Sequence, residues 1–127
     1  RRCFPRASRT GLPEYTVSKL ANVVFSQELA RRLDGTGVTT YAVHPGMVAS
    51  DVWRGVPWPI RPIMKQFMRS TEAGAATSVH CATAPELAGE SGRYYADCAP
   101  KEPSEHATTE LAEELWRRSA EWVADYR

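Results

Sequence analysis

Residues 14–46 decide the fold, and they read EYTVSKLANVVFSQELARRLDGTGVTTYAVHPG. Apolar side chains recur at helical spacing over residues 14–33, which predicts one long helix with a wide apolar side. Residues 38–44 are rich in β-branched and aromatic side chains and lie between a glycine and Pro45-Gly46, which predicts a short strand. A helix, a tight turn and a strand in this order are typical of half a βαβ crossover in a parallel sheet.

Near the start of the predicted helix, a tyrosine and a lysine stand four residues apart. Side chains at this spacing lie on one helical face, so Tyr15 and Lys19 can share a site. A phenol, whose ordinary pKa is about 10, exchanges protons poorly at neutral pH unless a nearby cation favours the phenolate. The alternative is an ordinary half-exposed helical pair. The neighbouring Asn22 and Ser26 do not decide between a ligand-facing side and a solvated one.

The segment after the predicted strand lies where ligands bind in parallel sheets, beyond the carboxyl ends of the strands. In residues 45–51, Gly46 permits a close backbone approach and Ser50 offers a hydroxyl. The alternative is a simple turn. Residues 52–70 are broken by prolines and rich in aromatic side chains and methionine, which fits a lid over an apolar substrate, a core-packing excursion or a membrane-surface helix.

The rest of the chain predicts two more helices and one more strand. Ser70 or Thr71 can cap a helix that ends near residue 83. Residues 93–96 predict a short strand, and a final amphipathic helix follows the loop at 100–103. The first of these helices is expected to pack through Ala73, Ala75, Ala76, Val79, Cys81 and Ala82. The apolar side of the last one consists of Leu111, Leu115, Trp116, Ala120 and Val123.

Length and composition limit the class of protein. The chain has 127 residues, of which 43% are hydrophobic, and a net charge of +1. These values fit one domain with one core and give no reason to expect a nucleic-acid partner. No apolar run approaches the roughly 20 residues of a membrane span. Three cysteines without a C-x-x-C spacing disfavour a disulfide framework or a metal site, and they predict free thiols in a reducing, cytoplasmic location.

Four motifs carry a family resemblance: YTVSK at 15–19, KLAN at 19–22, HPGMVAS at 44–50 and GRYYADC at 92–98. With them the sequence resembles the C-terminal half of the short-chain dehydrogenase/reductase (SDR) family. Within the family it is most similar to the branch of the retinol dehydrogenases and WW-domain oxidoreductase. The resemblance implies an α/β fold, the C-terminal part of a Rossmann-like doubly wound parallel sheet. Its elements would follow in the order helix, strand, lid helix, helix, strand, helix.

The resemblance also implies roles for individual residues. Tyr15 matches the family's general acid/base, and Lys19 matches the lysine that stabilises the phenolate and hydrogen-bonds the nicotinamide ribose. Both are therefore implied cofactor contacts as well as catalytic residues. The segment that borders the nicotinamide matches Pro45, Gly46, Val48 and Ser50. The implied cofactor is NAD(P), with NADP(H) somewhat favoured, and the implied reaction interconverts an apolar alcohol and its carbonyl by hydride transfer.

Part of the family pattern is not found in this sequence. No G-x-x-x-G-x-G turn, which cradles the cofactor pyrophosphate, occurs in it. We therefore expect residues 1–127 to form one partial Rossmann domain without its N-terminal nucleotide-binding half, and to be inactive alone. Residues 1–10 are expected to be a leader outside the family. The alternative is a non-enzymatic fragment that acts through a partner, or through self-association by an exposed strand edge or helices.

Overall fold

The structure is a computed structural model that describes residues 11–48 and 68–126. Over these residues it contains three α-helices and three strands. The element bounds are α1 Leu12–Arg32, β1 Tyr41–His44, α2 Thr71–Thr83, β2 Arg93–Ala96, β3 Ala99–Pro100 and α3 Thr109–Trp122. The three strands form one sheet in the order β1-β2-β3. Short 3-10 helices lie at Pro85–Leu87 and Ala124–Tyr126. These elements confirm the predicted α/β class.

The described chain divides into two compact units. The first comprises residues 11–42, 91–93 and 102–126, and the second comprises residues 43–48, 68–90 and 94–101. Strands β1 and β2 each have residues in both units. That the whole chain is a single partial Rossmann domain stays a prediction.

The two helices of the first unit begin at residues suited to helix starts. α1 follows Gly11, which has a left-handed conformation with φ 67°. Pro13 lies in its first turn, where the N–H that proline lacks would be unpaired anyway. α3 follows Thr108, whose hydroxyl accepts a hydrogen bond from the Leu111 amide. Local sequence therefore fixes where both helices start.

α1 packs against α3, and one indole ring of α3 contacts two side chains of α1. Val24 and Ala112 are almost completely buried. The Phe25 ring stacks on Trp116 with centroids 5.4 Å apart, and the Arg32 guanidinium lies 4.5 Å from the centroid of the same indole. Aromatic stacking and cation–π contacts of this kind add to the stability from buried area. Trp116 therefore links two successive parts of α1 to α3.

The predicted apolar sides of α1 and α3 are only partly buried. Val17, on the apolar side predicted for the helix over 14–33, and Leu111 are exposed, and α3 is buried at Ala112 instead. Ser26, which the sequence places on the polar side of α1, is buried. Its hydroxyl donates to the Thr40 hydroxyl, which in turn donates to the Ser26 carbonyl oxygen. A polar group satisfied in this way is buried at little cost, and helical spacing alone does not reveal it.

Strand β1 is shorter than the predicted strand over 38–44. The Val38 amide donates to the Thr36 hydroxyl, and the Thr40 amide donates to the Ser91 hydroxyl. These side-chain acceptors take the place of strand backbone as partners for the amides. The regular strand therefore begins only at Tyr41.

In the second unit, β2 and β3 form an antiparallel hairpin in which Tyr95 lies opposite Pro100. Asp97 and Cys98 make its two-residue turn, and both have positive φ, 55° and 57°. Positive φ at both central residues suits the right-handed twist of a hairpin. β2 has the predicted bounds. β3 is not among the predicted elements because a two-residue strand that contains a proline gives no sequence signal.

Helix α2 begins where the sequence predicts, but its packed side differs. The Ser70 hydroxyl accepts a hydrogen bond from the Ala73 amide and caps the helix. The buried positions of α2 are Gly74, Thr77 and Cys81. Of the positions predicted to pack, only Cys81 is buried, and Val79 and the alanines are exposed. Gly74, which has no side chain, therefore lies on the packed face of α2.

Candidate functional site

Tyr15 and Lys19 lie one turn apart near the start of α1. The Lys19 Nζ is 5.2 Å from the centroid of the Tyr15 ring, which is within the range of a cation–π contact. The contact follows from helix geometry, since residues four apart are stacked on one face. The two side chains are therefore neighbours, as the spacing predicts. Their catalytic roles stay predictions.

The phenol of this pair is open to solvent while its backbone is fixed. Tyr15 is 59% exposed. Its amide donates to the Gly11 carbonyl at 3.0 Å, and its own carbonyl accepts a hydrogen bond from the Ser18 hydroxyl at 2.7 Å. The arrangement can therefore present a phenol and a neighbouring ammonium together to a bound molecule.

The second group of predicted site residues lies in residues 45–48, which we call the Pro45 loop. The Arg69 amide donates to the Met47 carbonyl at 2.9 Å, and Val48 and Arg69 form a parallel β-bridge. Gly46 has φ 75°, and a Cβ on it would lie 3.3 Å from Cδ and Nε of Arg69. The close approach to Gly46 is therefore made by the Arg69 side chain. An approach by a ligand stays a prediction.

Helix α2 supports the Pro45 loop at Val48. A Cβ on Gly74 would lie 2.5 Å from Cγ2 of Val48, closer than real side chains come. Glycine at this position lets the valine lie directly against the helix backbone. Because a glycine inside a helix costs about 1 kcal/mol relative to alanine, its presence there needs a packing reason. The sequence analysis missed Gly74, although a glycine inside a helical pattern is a usable signal.

Arg69 forms an ion pair with Asp97 in the β2–β3 turn. The hydrogen bond from Arg69 lowers the pKa of Asp97 below its ordinary value of 3.8; burial opposes this, and the charges of Arg69, His44 and Lys101 favour it. The Arg69 and Asp97 side chains are 44% and 63% exposed, so the pair adds little to stability. Its effect is geometric, since it fixes where the arginine side chain lies. The sequence analysis missed both residues.

All of the predicted site residues except Ser50 are described. Tyr15 and Lys19 belong to the first compact unit, whereas Pro45, Gly46 and Val48 belong to the second. Ser50 lies outside the described residues. The predicted lid over 52–70 also lies outside them, apart from its last three positions.

A separate cavity of about 300 Å³ lies in the first unit. Gly92 forms part of its wall and comes so close to α1 that an added Cβ would lie 3.0 Å from the Ala30 methyl. Neither Tyr15 nor Lys19 lines this cavity, so it is not the predicted site. Its lining residues are Gln27, Ala30, Arg31, Ser91, Gly92, Ala107, Thr109 and Ala112.

The two described stretches contain no candidate metal site, and one of their two cysteines is buried. No cluster of three or more His, Cys, Asp or Glu side chains there could hold a metal ion. That the protein needs no metal stays a prediction. Cys81 and Cys98 are free thiols, and burial, together with the nearby Cys98, raises the pKa of Cys81. A buried thiol of this kind is unreactive. No helix in residues 11–48 or 68–126 is long and apolar enough to cross a bilayer.

No family model matches the chain. The chain is 46% identical over 113 residues to retinol dehydrogenase 12 of mouse, which covers 84% of this chain and 35% of that protein. It is 41% identical over 116 residues to the WW domain-containing oxidoreductase of Drosophila melanogaster, covering 87% and 28%. It is 42% identical over 114 residues to dehydrogenase/reductase SDR family member 13 of cattle, covering 85% and 30%.

These identities and the α/β fold agree with the motifs of the sequence. The chain belongs to the short-chain dehydrogenase/reductase family. It matches the C-terminal part of its relatives and spans about a third of the length of retinol dehydrogenase 12. Within the family it is similar to the retinol dehydrogenases and the WW domain-containing oxidoreductase, which confirms the predicted branch.

Proposed function

We propose that this chain supplies the proton-transfer pair and part of the cofactor-binding surface of an NAD(P)-dependent oxidoreductase. The enzyme would interconvert an apolar alcohol and its carbonyl. The observation that carries the proposal is the contact of Tyr15 with Lys19, an exposed phenol with an ammonium 5.2 Å from its ring centroid. Membership of the SDR family supports the reaction type and the use of NAD(P).

In this proposal Tyr15 is the general acid/base. Its phenol gives a proton to the carbonyl oxygen during reduction, and its phenolate removes the hydroxyl proton during oxidation. Lys19 stabilises the phenolate through its charge. When bound, NAD(P) supplies or accepts the hydride. Reduction therefore adds one hydride and one proton to the carbonyl, and oxidation removes both.

The residues that would hold the cofactor are Tyr15, Lys19 and the Pro45 loop, with Ser50 as a further hydroxyl. Exposure of these residues supports the proposal, because the phenol and the ammonium are exposed and the loop exposes Pro45 and Met47. An ammonium is a suitable donor to ribose hydroxyls. A preference for NADP(H), an apolar substrate and a cytoplasmic location belong to the proposal as the sequence predicts them.

The test is a chimera in which residues 11–126 replace the matching C-terminal part of mouse retinol dehydrogenase 12. We expect the chimera to oxidise retinol with NADP+ or NAD+. Tyr15→Phe should lower kcat about 100-fold or more, because phenylalanine keeps the ring and removes the exchangeable proton. Lys19→Arg, which keeps the charge, should retain more activity than Lys19→Met.

Ser18→Ala is the matched control on the same turn of α1. Its hydroxyl bonds only the Tyr15 backbone carbonyl among the hydrogen bonds described here, so its loss should change kcat by less than about threefold. An active chimera that Tyr15→Phe leaves unchanged would contradict the role of Tyr15. A folded chimera that turns over neither retinol nor other apolar alcohols would contradict the proposed function.

Association without catalysis is a second candidate function. In the described sheet β1 is an edge strand, and an edge strand can pair with another chain. α1 also exposes Leu12 and Val17. Size-exclusion chromatography and hydrogen exchange on the 127-residue chain test this candidate. Concentration-dependent oligomers in which exchange at residues 41–44 slows would support it, and a monomer with a well-protected β1 would contradict it.

A further inference from the structure

We propose that Arg69 is a positioning residue that holds the Pro45 loop in one conformation, and that Asp97 holds Arg69. The inference rests on the proposed function, in which the Pro45 loop borders the nicotinamide. Arg69 would act through the loop and would not touch the reacting atoms.

The main chain of Arg69 is the first link to the loop. Its amide donates to the Met47 carbonyl at 2.9 Å, and residue 69 forms an isolated parallel bridge with Val48. The main chain of residue 69 is thus joined to two consecutive loop residues, Met47 and Val48. The Arg69 side chain adds a further contact.

The Arg69 side chain covers the loop at the residue before the hydrogen-bonded carbonyl. Its Cδ and Nε would both lie 3.3 Å from a Cβ on Gly46. Gly46 has a left-handed backbone conformation, which residues with side chains rarely adopt, and it has no side chain to restrain it. Arg69 therefore contacts three consecutive loop residues, Gly46 through its side chain and Met47 and Val48 through its main chain.

Asp97 fixes the far end of the Arg69 side chain. The Arg69 Nη1 donates to the Asp97 carboxylate, while Nε and Cδ remain beside Gly46. The Asp97 turn is itself attached to α2, because the amide of the next residue, Cys98, donates to the Thr77 hydroxyl at 3.2 Å. A guanidinium suits this role because its several donors are held in one rigid plane. The contacts therefore run from α2 through the hairpin turn and Arg69 to the loop.

The surroundings of Asp97 keep its carboxylate ionised. The hydrogen bond from Arg69 lowers its pKa, burial opposes this, and the charges of Arg69, His44 and Lys101 lower it further. The partner of Arg69 is therefore an anion at neutral pH. Loss of that charge, without loss of the side chain, should release Arg69.

Hydrogen exchange on the 127-residue chain tests the contact itself. Asp97→Asn is the informative variant, because asparagine tolerates the left-handed conformation at residue 97 and only the charge is lost. We expect exchange of the residue 69 amide and of the peptide covering 45–48 to become about tenfold faster in Asp97→Asn and in Arg69→Ala. Arg117→Ala is the matched control. It removes a similarly exposed arginine that pairs with Glu114 on α3, and it should leave these exchange rates unchanged.

Cofactor kinetics of the chimera with retinol dehydrogenase 12 test the consequence of the contact. Arg69→Ala and Asp97→Asn should each raise the KM for NADPH about tenfold, with a smaller change in kcat, because they misplace a binding loop and leave Tyr15 in position. Arg69→Lys should raise the KM for NADPH less than Arg69→Ala does. If Arg69 and Asp97 act as one unit, the KM of the double variant for NADPH should be no higher than that of Arg69→Ala.

The outcomes separate this inference from the proposed function. Unchanged exchange at residues 45–48 and 69 in Asp97→Asn and Arg69→Ala would overturn the inference. Faster exchange with an unchanged KM for NADPH would overturn its cofactor-positioning part. A chimera that is inactive with Arg69 in place counts against the proposed function, and in that case the exchange rates alone decide whether Arg69 holds the loop.

Discussion

Glu28 is a carboxylate on α1 with only 4% of its surface exposed. Burial alone would raise its pKa, but hydrogen bonds from Arg31 and Arg32 and the charges of both lower the pKa below its ordinary value of 4.5. The two arginines can reach one carboxylate because they lie three and four residues after it on the helix. Folding therefore favours the ionised form of Glu28.

We expect Glu28→Gln to lower the free energy of unfolding by about 1–2 kcal/mol at pH 7, since it removes charged hydrogen bonds from a buried position. Because the folded-state pKa is lowered, this contribution is fully present above the unfolded-state pKa. It is lost as the pH falls from about 5 through the folded-state pKa. Urea unfolding at about pH 7 and about pH 3 should therefore show a difference between wild type and variant that shrinks in acid. The exposed Glu113→Gln on α3 is the control, and an equal difference at both pH values would contradict the prediction.

Whether a residue's role could be predicted depends on how far along the sequence its partner lies. The pair Tyr15–Lys19 follows from helical spacing, so the sequence is enough to predict it. Arg69 and Asp97 are 28 residues apart, and no local pattern indicates that they meet. Their role depends on how the hairpin turn lies beside the bridge at residue 69, which is a tertiary property.

Helix α2 contacts the Pro45 loop closely enough that one methyl group should disturb it. Gly74→Ala would place a Cβ 2.5 Å from Cγ2 of Val48. Helix propensity alone would stabilise the variant by about 1 kcal/mol, but overpacking typically costs about 1–3 kcal/mol. We therefore expect the free energy of unfolding in urea to fall.

A second substitution shows whether the contact with Val48 is the cause. Val48→Ala removes the clashing methyl groups, so Gly74→Ala should cost less in a Val48→Ala background than in the wild type. Ser78→Ala, at an exposed position on α2, should change stability by less than about 0.5 kcal/mol. A Gly74→Ala variant more stable than the wild type would show that helix propensity outweighs the contact.

The packing of α1 on α3 depends on Trp116. Trp116→Ala removes the stack on Phe25 and the contact with Arg32, and we expect a loss of about 2–3 kcal/mol in the free energy of unfolding, below the range for a fully buried tryptophan. Trp122→Ala is the matched control at the end of the same helix, where the side chain is 54% exposed. It should cost less than about 0.5 kcal/mol. Equal losses in the two variants would contradict the assigned role of Trp116.

Element positions were more predictable than the faces they bury. The helix starts follow from local caps such as Ser70 and Thr108, which a sequence displays directly. The buried faces depend on what lies opposite, so α3 is buried at Ala112 and α2 at Gly74 instead of at the larger side chains nearby. β3 has two residues and no local signal, because it exists only by pairing with β2.

For the chain taken together, element order predicts the fold class and the motifs predict the family. In the described residues a helix, a strand, a second helix, a second strand and a third helix follow each other as predicted, with β3 as an addition before the last helix. The predicted lid helix lies outside the described residues. The similarity to SDR proteins extends over 84% of the chain for mouse retinol dehydrogenase 12. The chain covers only 35% of that relative.

We therefore predict that the 127-residue chain alone does not reduce carbonyls with NADPH. Proton transfer from a placed tyrosine contributes about 10²–10⁴-fold, but only while the hydride donor is held beside the substrate. The sequence has no glycine-rich turn of the kind that binds the cofactor pyrophosphate at a helix N-terminus. Saturable consumption of NADPH with an apolar aldehyde, abolished by Tyr15→Phe, would contradict the prediction. The chimera is the positive control, because activity there and none in the isolated chain would assign the missing contribution to the part of the relative that this chain does not match.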